Sequence, residues 1–198
     1  YFIKAIKDAG IVEQNAERKY LIIKEPIVYE SPDKSVKLVI EAAKEFSVSV
    51  VIDYETDVLG KQEAVINDIT EFENEIAPCR TFVFLHELEF LLSNDLIKGG
   101  DLNNAIVFVN RDVTQEELDD LAELFDKPKI KIKPNGILNN LDLIFQNEPA
   151  RHKLLDVIGD LSLLGMPIKG RVTAYRPGHL ANTEFAKIIR NNINNSHM

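Results

Sequence analysis

The chain has 198 residues, 45% of them hydrophobic and 28% charged, a composition that suits one generous globular domain. A formal net charge of −9 argues against nucleic-acid binding, which normally needs a basic face. No apolar run approaches the roughly 18 residues of a transmembrane helix, and Cys79 is the sole cysteine, so no internal disulfide can form and a cytoplasmic setting is expected.

Tyr1 is not an initiator methionine, and the first residues read as the last turns of a helix or linker, stopped by Gly10. Residues 18–30, 34–42 and 46–54 are β-branched runs alternating with polar residues, which predicts three strands in a meander, with a weaker fourth at 62–69. Thr70 has capping-box spacing and predicts a short helix ending before Pro78. Residues 81–109 read strand, helix, strand, with a turn at Gly99 and Gly100. Thr114 opens a second capping box and a helix running to about Phe125.

Lys129 to Lys133 alternate lysine with isoleucine, and Pro134, Asn135 and Gly136 then turn the chain into 137–145, which predicts a hairpin. Its lysines are read as a solvated strand face that resists edge pairing rather than as a phosphate site. A helix is expected from about Pro149 to Leu164, a strand over 168–175, and a last helix capped by Asn182 or Thr183. The expected fold class is α+β: a two-layer sandwich of a mostly antiparallel sheet and helices, with a strand-helix-strand insertion. Residues 1–193 form the domain, and 194–198 resemble a cloning remnant.

Chemistry concentrates in two segments. His152, Asp156 and Asp160 recur at spacing four and stack along one helical face, where an imidazole and a carboxylate can converge on a cation. Taken alone, such a pair is more often a surface ion pair. The loop from Tyr175 to Asn182 carries His179, which Gly178 would let the backbone place at a pocket rim as a general acid or a cation beside an oxyanion. A loop histidine without a role is the plain alternative. On these residues alone, three readings stay open: a metalloenzyme half, a non-enzymatic binding module, or an interaction domain that docks through 111–147.

Ala150–Leu161 followed by Gly170–Asn182 resembles the paired signature of the second domain of zinc-dependent UDP-3-O-acyl-N-acetylglucosamine deacetylases of lipid A synthesis. Cys79–Phe82, with the two glycines some eighteen residues later, resembles that family's acyl-binding insertion. Lys7–Ile11 and Ile23–Glu25 resemble its domain start. The resemblance implies zinc held by His152 and Asp156, an oxyanion near the Thr81 hydroxyl, and His179, oriented by Asp160, as the protonated group. It implies that Lys153, Arg176, Lys24 and Arg80 form a basic patch for the sugar nucleotide, with Phe82 also touching substrate. Leu85, Leu88, Leu91, Ile97, Leu102 and Val107 would line an acyl passage, although core packing explains the same pattern. The third zinc ligand and the general-base glutamate would lie in an N-terminal domain outside this chain. The long 111–147 segment resembles the form fused to a 3-hydroxyacyl dehydratase.

Overall fold

The computed structural model describes residues 2–94, 104–139 and 141–196, with only the backbone described at 89, 91–93 and 193–196. Helix α1 (Phe2–Ala9) buries none of its residues. Strands β1 (Leu21–Ile22), β2 (Ile27–Glu30), β3 (Lys37–Glu41), β4 (Ser47–Ile52) and β5 (Gln62–Ile66) follow. A 3-10 turn (Ile69–Glu71) leads into the short α2 (Phe72–Glu75). Strand β6 (Thr81–Phe84), helix α3 (Leu85–Ser93) and strand β7 (Ala105–Phe108) form the strand-helix-strand insertion. Helices α4 (Gln115–Leu124) and α5 (Glu148–Ser162), strands β8 (Ile168–Lys169) and β9 (Arg171–Tyr175), and helix α6 (His179–Ser196) complete the order.

The central sheet runs β2-β3-β9-β4-β5. Three of its pairings are antiparallel, and β9 runs parallel to β4. Alternation gives it one apolar face: Leu38, Ile40, Val48, Val50, Ile52, Val172 and Ala174 are each at most 1% exposed. Helices α5 and α6 cover that face and pack on each other. Leu154 and Val157 from α5, and Phe185 and Ile189 from α6, are fully buried there. Each contributes about 1.5–3 kcal/mol of burial. The fold is the expected α+β sandwich of two layers.

The meander is not what forms. Strand β9 inserts between β3 and β4, which the five residues 42–46 connect. Two strand spacings are roughly 10 Å, within the reach of five extended residues, so a short turn does not require neighbouring strands. The run 18–30 splits at Pro26 into β1 and β2, and β1 pairs with β8 instead. Asp68, not Thr70, caps the turn before α2, accepting from the Thr70 N–H. The Thr114 capping box is present as expected.

The 129–145 hairpin reduces to a short one about the bridge Ile132↔Leu138, and the bridge Phe108↔Ile137 lays the 111–147 segment beside β7. Val109 N donates to Gly136 O and Leu138 N to Val107 O, continuing that edge. Residues 111–147 build a second apolar core: Leu118, Leu121, Ile130 and Leu138 pack with Leu85, Leu88 and Val107. The start of the last helix also shifts. Helix α6 begins at His179, before Asn182 and Thr183, and no helix among the described residues is long and apolar enough to cross a membrane.

Candidate active site

The spacing of four on α5 brings His152, Asp156 and Asp160 into one row. His152 Nε2 lies 3.6 Å from Asp156 Oδ1, and Lys153 Nζ lies 3.0 Å from Asp156 Oδ2. Asp156 is 8% exposed. Burial pushes His152 below its ordinary value, and this outweighs the opposing pull of the Asp156 carboxylate. A neutral imidazole therefore faces a buried carboxylate. The ring's Nδ1 is itself buried without a hydrogen bond, with the Cys79 backbone as the polar group beside it.

His179 opens α6, four residues beyond the end of β9. Its Nδ1 is 2.9 Å from Asp160 Oδ2, and since a carboxylate only accepts, Nδ1 carries the proton. Asn182, one turn along α6 and fully buried, donates its Nδ2 to the same oxygen at 2.8 Å. Asp160 is thus pinned from two positions of the helix whose first turn it faces. His179 Nε2 stays free of Asp160, 3.9 Å from Asp156 Oδ2, and the side chain is 70% exposed. The glycine expected to turn this loop does not do so. Gly178 has no left-handed φ and open space at its Cβ, while Arg176 carries φ +51. The Arg176 N–H donates to Val51 O at 2.7 Å, and that bond holds the turn.

The segment 79–82 runs along the first two turns of α5. Arg80 meets Glu148, Cys79 flanks His152, and Lys153 Nζ stands 5.7 Å from the Phe82 ring centroid. Thr81, between them, is exposed. Arg80 is held by Glu148 and by Asp142 O. Arg176 is paired with Glu55 at 2.6 Å. Lys24 is exposed beyond β1. Of the passage residues, Leu85, Leu88 and Val107 are buried in the second core. Ile97 and Leu102 lie outside the described residues, as does the side chain of Leu91.

Tyr54, just past β4, is a site neighbour that the sequence does not point to. It packs edge-on to Phe82 and Phe84 at 5.5 and 5.6 Å. Its hydroxyl is pushed up to about 12 by burial and then by the Glu87 and Asp156 carboxylates, against Arg176. Nothing in its local pattern marks it. Glu148 does carry a signal in the sequence, because it extends the same i, i+4 row one turn upstream of His152.

His152 Nε2 and Asp156 Oδ1 face each other across 3.6 Å, a separation with room for a cation held by both. A tetrahedral zinc with bonds of about 2.0–2.2 Å separates two of its ligand atoms by roughly 3.4 Å. The donor set, a neutral imidazole and a carboxylate oxygen not taken by Lys153, fits such an ion. Among the described residues no third His, Cys, Asp or Glu completes a metal-binding group with them.

The chain matches the LpxC family, UDP-3-O-acyl N-acetylglycosamine deacetylase, over residues 1–125 and 126–191. It is 45% identical over 192 residues to the bifunctional enzyme LpxC/FabZ of Chlorobaculum tepidum, covering 96% of this chain and 41% of that protein. Identity to the enzyme of the same name from Bacteroides thetaiotaomicron is 42% over 193 residues, covering 98% and 42%. The UDP-3-O-acyl-N-acetylglucosamine deacetylase of Syntrophotalea carbinolica is 35% identical over 192 residues, covering 96% and 54%. The chain thus spans about half, or less, of these relatives' length. The chain belongs to the UDP-3-O-acyl-N-acetylglucosamine deacetylase family.

Proposed function

We propose that this chain is the second half of a cytoplasmic, zinc-dependent amidohydrolase of lipid A synthesis. It would remove the N-acetyl group of UDP-3-O-(3-hydroxyacyl)-N-acetylglucosamine. The observation that carries the reading is the row His152, Asp156, Asp160 with His179 held on its last member at 2.9 Å. His152 and Asp156 would hold a zinc ion, which when bound would supply Lewis acidity toward the amide carbonyl and a more nucleophilic water.

The chain's own groups do the rest. His179 is held by Asp160 through Nδ1–H, which leaves its Nε2 directed away from that carboxylate. From there it stabilises the oxyanion and then gives its proton to the departing sugar nitrogen, so that acetate and an amine leave. Thr81 adds a hydroxyl donor to the oxyanion. Lys153 neutralises Asp156 when nothing else does, and offers its cation, with Phe82 below it, to the anionic substrate. The third zinc ligand and the general base come from the N-terminal half of the enzyme.

The test is His179→Ala in the two-domain enzyme. Turnover falls about 10²–10⁴-fold while metal analysis still finds one zinc per chain. Asp160→Asn, which disturbs orientation without removing the group, costs less. Loss of zinc from His179→Ala would make His179 a ligand and overturn its role as proton donor.

A further inference from the structure

Glu148 is the one carboxylate that is wholly buried among the described residues, at 0% exposure, and the proposed chemistry makes no use of it. It opens α5, one turn before His152. Its Oε1 accepts from the backbone N–H of Arg80 and from Arg80 Nε, both at 2.9 Å, and its Oε2 accepts from Arg80 Nη2 at 3.0 Å. Ile144 N, at the end of the 111–147 segment, donates to Oε2 at 2.7 Å. Arg80 Nη2 also donates to Asp142 O at 2.6 Å, and Lys133 Nζ donates to Leu141 O and Asp142 Oδ1, each at 2.6 Å. One carboxylate therefore ties three separate stretches of chain: the entry to β6, the tail of the insertion and the start of the helix that carries His152 and Asp156.

As a stabilising device this is inefficient. The charges must leave water, and a well-packed apolar pair of similar volume is often as stable. What the fork of a guanidinium on a carboxylate adds is direction, since several donors at fixed angles allow one arrangement only. The direction it sets is that of residues 79–82 along α5. Three contacts join that stretch to the helix: Glu148 with Arg80, His152 with the Cys79 backbone, and Lys153 over Phe82. Thr81 lies inside that stretch, anchored on one side by the ion pair and on the other by the Phe82 ring.

We propose that the buried Arg80–Glu148 pair is a positioning device, setting the register of β6 on α5 so that the Thr81 hydroxyl meets the reacting centre beside His152. The proposal deepens the deacetylase reading and rests on it. Because the insertion's tail is bound into the same carboxylate, the 111–147 segment braces this register from the far side. Arg80, assigned to substrate from the sequence, would then act through Thr81.

The experiment is a double-mutant cycle in the two-domain enzyme with Glu148→Gln, Thr81→Ala and both together. It reads kcat, KM, zinc content and Tm. A displaced hydroxyl lowers kcat of Glu148→Gln about 10–100-fold, with KM within about threefold and zinc retained. The double variant is no slower than the slower single one, because both remove the same hydroxyl from its place. Arg80→Lys, which keeps a cation on Glu148 without the fork, falls between wild type and Glu148→Gln. If Glu148→Gln does not fold, Arg80→Met with Glu148→Met refills the volume and must still lose kcat. Wild-type kcat with a lowered Tm, or losses that multiply in the double variant, would reduce the pair to a structural ion pair and overturn the proposal. Wild-type kcat for Thr81→Ala is a different failure: it removes Thr81 from the chemistry and leaves the deacetylase reading to His179.

Discussion

Burial pushes the Cys79 thiol up to about 11, helped by the Glu148 carboxylate and opposed by Arg151 and Arg80. Its S–H is 3.5 Å from Glu75 O, and the residue is 6% exposed. An unperturbed thiol titrates near about 8.5, so this one remains protonated where a free cysteine would already react. Iodoacetamide at about pH 8 is expected to leave native Cys79 unmodified. The native rate should go on rising about tenfold per pH unit toward 11, whereas the urea-unfolded chain levels off near its ordinary value. Rapid native labelling under those conditions would contradict the burial. At this scale the sequence is informative where chemistry repeats at a helical period. His152, Asp156 and Asp160 are legible because spacing four has one geometric meaning on a helix. His179 is legible because it stands in a loop between a strand and a helix, although Gly178 is not what places it. The left-handed residue is Arg176, and only a backbone bond to Val51, distant in sequence, fixes it. Tyr54 and Asn182 reach the site through contacts across the fold, which no local pattern encodes.

Strand order shows the same division at the level of elements. The alternation that marks β2 to β5 sets which face is buried, not which strand is the neighbour, and β9 arrives from more than a hundred residues away to part β3 from β4. Gly170 marks where that late strand separates from β8. A Cβ there would lie 3.0 Å from Ile23 Cγ1, 3.1 Å from Glu41 O and 3.1 Å from Ile40 Cγ1, so two side chains and one carbonyl close on it. Gly170→Ala should therefore cost about 1–3 kcal/mol by overpacking, seen as a Tm lower by several degrees. Gly178→Ala, with open space at its Cβ and no left-handed φ, should leave Tm near the wild-type value. The reverse ranking in a thermal melt would restore the turn role that the sequence suggests for Gly178. Helix α5 is the element where both levels agree, since its polar row and its apolar row, Leu154, Val157 and Leu161, are each visible in the sequence as a period.

At the scale of the molecule, the described residues form two apolar cores, one under α5 and α6 and one built with the 111–147 segment, and the site stands on the rim of the first. The 111–147 segment packs Leu118, Leu121, Ile130 and Leu138 inward in the second core, while Leu124, Ile132 and Ile144 stay exposed. What the molecule brings together is the His152–Asp156 pair, His179 pinned on Asp160, and Lys153. The reaction proposed for them needs a third zinc ligand and a base from the other half of the enzyme. The direct measurement is acetate release from UDP-3-O-(3-hydroxyacyl)-N-acetylglucosamine, with zinc supplied, by this 198-residue chain alone and by the two-domain enzyme side by side. The two-domain enzyme should turn substrate over, and the chain alone should release no acetate above background. Comparable rates from the two would contradict the proposed division of the site, because the residues of this chain would then suffice without the partner half.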